Sequence, residues 1–220
     1  MKYILSAIAV AGLAIAPASA GETYISVFGG AGFLQDDAFS AFALQPDFET
    51  GAVYGAALGK GFDAPIIGRL RFEAEVARRN NDGSRTVDVV SVNGDQTAWS
   101  LMANAVYDAE LLGGLVKPYA GVGVGAAWVK ADLVVESPLI ICLDPYCLGS
   151  ADETDAVFAW QLIGGAAVDV APRVELYTEG RWFDAGDTAF DGKPGFFGPP
   201  TFTQSEYQHG SVLFGIRLDL

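Results

Sequence analysis

Between Arg69 and Val76 the chain reads Arg-Leu-Arg-Phe-Glu-Ala-Glu-Val, charged and apolar in strict alternation. A period of two belongs to a β-strand, whose successive side chains point to opposite faces. One face carries Arg69, Arg71, Glu73 and Glu75, the other Leu70, Phe72, Ala74 and Val76. Two architectures can use such a strand. A soluble sheet turns its apolar face to a protein core and its charges to water. A membrane barrel turns the apolar face to lipid and encloses the charges.

The N-terminus points to export. Lys2 supplies a positive n-region, Ile4 to Ile15 is apolar, and Ala18-Ser19-Ala20 after Pro17 is a small-residue cleavage site. Residues 1–20 are therefore expected to be a secretory signal peptide, cleaved before Gly21. Its apolar core is too short to span as a helix, and no second long apolar run follows. No Cys stands after the cut, so no lipid anchor is expected. Residues 21–220 are expected to form one barrel domain.

The formal net charge of the chain is −14 and becomes more negative once Lys2 is removed. Such a chain is a poor ligand for nucleic acid and for anionic surfaces. Hydrophobic residues make up 51% of it, with 27 glycines. Apolar content spread over alternating strands, with Gly at close approaches, is the composition a lipid-facing barrel requires.

Eight strands are predicted, near Thr23–Phe33, Gly51–Phe62, Arg69–Arg78, Ala98–Asp108, Pro118–Lys130, Ala156–Val170, Arg173–Asp184 and Tyr207–Leu220. The connections between them alternate. Asp63–Gly68, Ala109–Lys117 and Ala171–Pro172 are short; Leu34–Thr50, Arg79–Thr97, Ala131–Asp155 and Ala185–Glu206 are long. This sorting predicts an all-β fold, an eight-stranded antiparallel up-and-down transmembrane β-barrel with short periplasmic turns and long extracellular loops.

The tryptophans test this independently. Trp99, Trp128, Trp160 and Trp182 fall near strand ends on one rim and share parity with apolar neighbours. They are expected to form an aromatic girdle at the outer lipid interface, with Tyr107, Phe62, Leu218 and Leu220 as a sparser girdle opposite. The other parity defines a wet lumen. Its expected charge network is Arg69, Arg71, Glu73 and Glu75 with Glu175, Glu179 and Arg181. Tyr177, Asn104, Asp108, Gln161, Asp169, Ser211 and Arg217 share the inward parity. Both signs are present, so the lumen can neutralise itself. Eight strands enclose a space that side chains can fill, which predicts a plugged barrel and not a wide pore. Lys60 falls on the lipid parity, near an end where it can snorkel to the interface.

The segments Lys117-Pro118-Tyr119-Ala120-Gly121-Val122-Gly123-Val124-Gly125, Phe158-Ala159-Trp160-Gln161 and His209-Gly210-Ser211-Val212-Leu213-Phe214-Gly215-Ile216-Arg217-Leu218 carry a resemblance. The chain resembles the eight-stranded outer-membrane barrels of the opacity-protein and OmpA-like superfamily, especially small alphaproteobacterial surface antigens. Family members usually end in an aromatic residue, whereas this chain has Leu218 and Leu220 at those positions. The resemblance implies the outer membrane of a Gram-negative bacterium and a structural and surface-display role of adhesion or antigen type. It implies no enzymatic chemistry. The implied partners are outer-membrane lipid and lipopolysaccharide, the barrel-insertion machinery, and a surface or host ligand whose identity the sequence leaves open. A monomer is expected, with no cofactor and no metal.

Four features carry rival readings. His209 and Ser211 are similar to the His-x-Ser pair of a barrel lipid A deacylase, in which the His activates the Ser hydroxyl. No Glu follows Ser211, and the parity places both residues in the lumen, so no catalytic residue is assigned. Cys142 and Cys147 lie in the longest loop of an exported chain and are expected to form a disulfide. Asp132, Glu136, Asp144, Asp152, Glu153 and Asp155 match no calcium-loop spacing and are expected to be a solvated acidic loop. Phe196-Phe197-Gly198-Pro199-Pro200 in the last loop either touches a partner or folds over the barrel mouth. The rivals to a structural barrel are a lipid A-modifying enzyme, a narrow channel and a soluble lipocalin-like periplasmic binder.

Overall fold

The structure, a computed structural model, describes residues 22–34, 47–48, 50–64, 68–87, 90–109, 115–136, 149–188, 193–194 and 205–220. Eight long strands run through it: β1 (Glu22–Leu34), β3 (Gly51–Ala64), β4 (Gly68–Val87), β5 (Val90–Ala109), β6 (Lys117–Glu136), β7 (Gly149–Ala171), β8 (Val174–Thr188) and β10 (Ser205–Asp219). Two short strands, β2 (Asp47–Phe48) and β9 (Lys193–Pro194), pair with β4 and β7 at the end of the barrel away from the chain termini. Each long strand pairs antiparallel with its sequence neighbours, and β10 pairs with β1, so the sheet closes on itself. Closure leaves no edge, which is what lets backbone polar groups be satisfied inside a lipid phase.

Alternation decides which face goes where. On β4, Arg71, Glu75, Ala77 and Arg79 are buried in the lumen, while Phe72 and Val76 are exposed outside. The outer wall is apolar all round: Ile25, Leu58, Leu101, Val122, Phe158, Leu176 and Phe214 are among its exposed residues. Such a surface would be an aggregation liability in water and is the normal outer face of a barrel in lipid.

The lumen is packed with side chains, as expected of eight strands, with apolar clusters beside its charges. Inward-facing Phe28, Val53, Val106, Tyr119, Ile163, Tyr177 and Leu213 form one apolar cluster. Ala98, Met102, Ala127, Val129, Phe183 and Tyr207 form another. Glycines make the room. Tyr24, Phe28, Tyr119 and Tyr177 each sit directly across a strand pair from a glycine, namely Gly59, Gly55, Gly165 and Gly215. A Cβ at Gly59 would lie 2.2 Å from Tyr24 Cζ, and one at Gly215 would lie 2.2 Å from Tyr177 Cζ. The aromatic ring therefore lies flat on the partner strand, where any side chain would displace it.

Strand lengths differ from the expectation. β4, β5 and β6 each have 20 residues and β7 has 23, against 13 in β1, 14 in β3 and 15 in β8 and β10. A tilted strand needs only about 9–11 residues to cross a bilayer. The predicted loop Arg79–Thr97 is in large part paired strand, with Arg79 opposite Ala98 and Val87 opposite Val90. Asp132, Glu136, Asp152, Glu153 and Asp155 likewise lie in β6 and β7 and not in a loop, with Asp132 opposite Asp152. Arg79–Thr97 carries few apolar residues, so polarity made it look like a loop although its backbone is largely paired. The barrel therefore has a tall side, β4 to β7, and a low side. Cys142, Cys147, Asp144, the stretch 196–200 and residues 1–20 lie outside the described residues.

At the terminal end β7 and β8 are joined by a two-residue turn, with Ala171 opposite Val174. Pro172 opens it, and Arg173 takes φ 67°, a left-handed position that a turn of this kind demands and that glycine would fill at lower cost.

Candidate functional site

The inward face of the strands assembles a polar network within the packed lumen. In its terminal half each buried guanidinium is paired with a carboxylate, and Arg217 Nε is left without a partner. Arg71 holds Asp108 with two parallel bonds, Nε to Oδ2 at 2.6 Å and Nη2 to Oδ1 at 2.8 Å. Its Nη1 donates to Glu73 and, at 3.0 Å, to the Tyr24 hydroxyl. Tyr24 in turn donates to Glu73 Oε1 at 2.5 Å. Arg217 pairs with Glu175 at 2.5 Å and lies over the rings of Tyr24 and Tyr177. Toward mid-barrel, Arg181 contacts Glu75 Oε1 and Glu179 Oε1, each at 2.6 Å, and stacks 4.4 Å over Phe28. Asn104 donates to Glu75 at 2.9 Å, Gln161 donates to Asn104 at 2.8 Å, and Tyr119 donates to Glu179 at 2.9 Å. A space of about 10 Å³ among Ser26, Arg71, Tyr119, Glu179, Arg181 and their neighbours has room for about one water.

Three guanidiniums here face five carboxylates. Buried ions of either sign are costly alone and acceptable when paired and hydrogen-bonded, and every one of these has a partner. Arg69 stands apart at the terminal mouth, where it meets Glu22 at 3.2 Å on the surface. Lys117 and Asp169 form a second exposed pair there at 2.8 Å. Lys60 lies on the outer face with its ammonium 5.6 Å from the centre of the Phe62 ring.

The distal half of the lumen is different. Arg79 is completely buried, yet its only hydrogen bond among the described residues is from Nη1 to Ser100 Oγ at 2.8 Å. Its guanidinium lies 3.7 Å from the Phe183 ring centroid. Phe183 meets Tyr207 edge to face at 6.1 Å, and Tyr207 stacks on His209 at 6.0 Å with 9° between the planes. His209 Nε2 is 3.1 Å from Asn81 Oδ1. Arg79 Nε and Nη2, the Tyr207 hydroxyl and His209 Nδ1 are all buried without a hydrogen-bond partner. No carboxylate among the described residues pairs with Arg79.

Of the sequence-predicted network, the structure brings Arg71, Glu73, Glu75, Glu175, Glu179 and Arg181 into the lumen and leaves Arg69 at its mouth. Asp108, Arg217, Asn104 and Gln161 complete it. Tyr24, Tyr119 and Arg79 were not foreseen. The signal for Arg79 is simple: the parity of Arg69, Arg71, Glu73 and Glu75 continues through Ala77 to Arg79, once the strand is allowed to run on. His209 and Ser211 are both buried in the lumen.

Trp99, Trp128, Trp160 and Trp182 are exposed on the outer wall of β5 to β8. Trp99 and Trp128 are direct cross-strand partners, and Arg78 lies 5.4 Å from the Trp99 ring centre. They do not lie at strand ends, because β5 to β8 continue past them.

A family model described as the outer membrane protein beta-barrel domain matches residues 5–198. Uncharacterised proteins of Brucella abortus and Brucella suis are 31% identical over 144 residues, which is 57% of this chain and 49% of theirs. The chain thus spans about half the length of the curated relatives it matches. Among solved structures, a major outer membrane protein from Thermus thermophilus superposes with a TM-score of 0.55 at 15% identity, covering 90% of this chain and 99% of that one. Neisserial surface protein A gives 0.52 at 16% identity, covering 90% and 97%.

Proposed function

This chain belongs to the outer membrane protein β-barrel domain family, and from that premise we propose that it displays the tall β4–β7 wall at the cell surface. It sits in the outer membrane of a Gram-negative envelope. Its role is structural and of surface contact, as an adhesin or antigen, and not catalysis or transport. The observation that carries this reading is the excess length of β4 to β7 over what a bilayer needs. A strand pair that continues beyond the lipid offers rigid main chain and alternating side chains to whatever approaches from outside.

In this reading the terminal end is periplasmic. Trp99, Trp128, Trp160 and Trp182 anchor the outer interface, where indole rings favour the boundary between acyl chains and headgroups. Lipid and lipopolysaccharide are the immediate partners, and the insertion machinery delivers the chain as a monomer. The lumenal position of His209 and Ser211 supports the non-enzymatic reading, since the barrel wall separates them from any acyl chain. The packed lumen supports the absence of conduction.

The test is topological. Single cysteines are placed at Ser84, on the tall side, and at Arg173, in the terminal turn. Intact cells are treated with a membrane-impermeant maleimide, and labelling is compared with the parent protein. Ser84→Cys is expected to label in intact cells and Arg173→Cys only after lysis. The reverse pattern overturns the reading.

A further inference from the structure

Arg71 shows what an arginine in this lumen does when it is fully partnered. Arg71 presents its Nε and Nη2 edge to Asp108 and holds both carboxylate oxygens. That edge is the planar fork that matches carboxylates and phosphates two oxygens at a time. Arg79, on the same face of β4, leaves the identical Nε and Nη2 edge bare, and the residue is 0% exposed. A buried guanidinium without a counter-ion is among the costliest groups a fold can retain.

Its surroundings complete a binding chemistry. The ring stack Phe183, Tyr207 and His209 starts at the Arg79 guanidinium, and both polar tips of that stack, Tyr207 OH and His209 Nδ1, are also unpartnered. Asn81 Nδ2 donates to Gly32 O at 3.4 Å, which turns Asn81 Oδ1 toward His209 Nε2. An amide oxygen only accepts, so His209 donates from Nε2. A neutral ring then leaves a bare lone pair at Nδ1. The cluster thus offers a forked cation, a hydroxyl and an acceptor, all dry and all at the distal end of the lumen. Hydrogenphosphate matches the fork with two of its oxygens, and its remaining oxygen and O–H are of the kinds that the hydroxyl and the imidazole take.

We propose that the distal lumen is a binding site for a small free oxyanion, phosphate in particular, held by the Nε and Nη2 edge of Arg79. The anion supplies the counter-charge that Asp108 supplies to Arg71. The proposal rests on lumenal geometry alone, so its failure leaves the surface-display reading standing, and the topological test leaves this one untouched.

The experiment uses the refolded full barrel in detergent, titrated with inorganic phosphate at constant pH and at ionic strength held with chloride. Phosphorus NMR line width and the urea unfolding midpoint are followed together. The wild type is expected to give saturable broadening and a midpoint that rises and levels off over the same concentrations. Arg79→Gln is expected to abolish both. Arg79→Lys keeps the charge but not the fork, and is expected to weaken binding about tenfold or more. It also serves if Arg79→Gln does not fold. Arg173→Gln, at the opposite end of the barrel, is expected to bind as the wild type does. Saturable binding that survives unchanged in Arg79→Lys, or no saturable response in the wild type, overturns the proposal.

Discussion

Arg71 and Arg79 stand on the same face of the same strand and live in opposite halves of one lumen. The first is bound on every side, by Asp108, Glu73 and the Tyr24 hydroxyl. Among the described residues the second has one hydrogen bond, to Ser100, and an aromatic face. In the terminal half every buried guanidinium meets a carboxylate, with Arg217 Nε left as a single unpartnered donor, and that half acts as a seal. The distal half keeps open valence where the lumen meets the tall wall. A barrel can carry that imbalance because closure of the backbone hydrogen bonds, and not the lumenal contents, holds the cylinder together.

The comparison can be broken most sharply at Glu75, which takes Arg181 at 2.6 Å and Asn104 at 2.9 Å. We predict that Glu75→Leu strands part of Arg181's charge and costs about 3–5 kcal/mol in urea unfolding. A loss no greater than that of a surface substitution would show that the terminal half is not a coupled network. The next largest effect is predicted at Gly59→Ala, because the new methyl meets Tyr24 and pushes its hydroxyl off Glu73. Overpacking of this kind costs about 1–3 kcal/mol, read from the same unfolding curves. Wild-type stability in Gly59→Ala would mean that the ring can move without consequence.

Arg79→Met probes the other half. With no carboxylate to strand, the substitution is predicted to leave stability in phosphate-free buffer within about 1 kcal/mol of wild type or to raise it. A loss as large as that of Glu75→Leu would erase the distinction between the two halves. The smallest effect is predicted for Asp169→Asn, which removes the exposed partner of Lys117 at the terminal mouth. Its cost should not exceed about 1 kcal/mol and should vanish in high salt, as surface pairs do.

The lumen was half legible from sequence, and the reason is physical. Strict alternation over Arg69–Val76 separates two faces without any knowledge of neighbours, so Arg71, Glu73 and Glu75 could be assigned to one side at once. Tyr24 and Tyr119 could not, because an aromatic residue suits either face of a barrel strand. What sends each ring inward is the glycine opposite it, and Gly59 and Gly165 become opposite only when the strand register is known. Arg79 was hidden differently. Beyond Arg78 the chain turns polar, and polarity reads as loop, although the paired backbone of β4 and β5 runs on to Val87 and Val90. The number of barrel strands was recoverable because each crossing carries its own apolar stripe. Their height was not, because nothing outside lipid demands that stripe.

The near-unbroken pairing of the long strands has a consequence for inheritance. Register shifts occur in two of the described pairings, both near strand ends, at Ser205/Tyr207 and Asp169/Ala171. Everywhere else a residue's face is set by counting odd and even from its neighbours. A missense change within a strand spoils one position. Loss of a single codon there inverts every side chain up to the next turn, sending arginines into lipid and leucines into the lumen. Such a gene can drift freely by substitution but can lengthen or shorten only between strands, and its lineage should record deletions there and almost nowhere else.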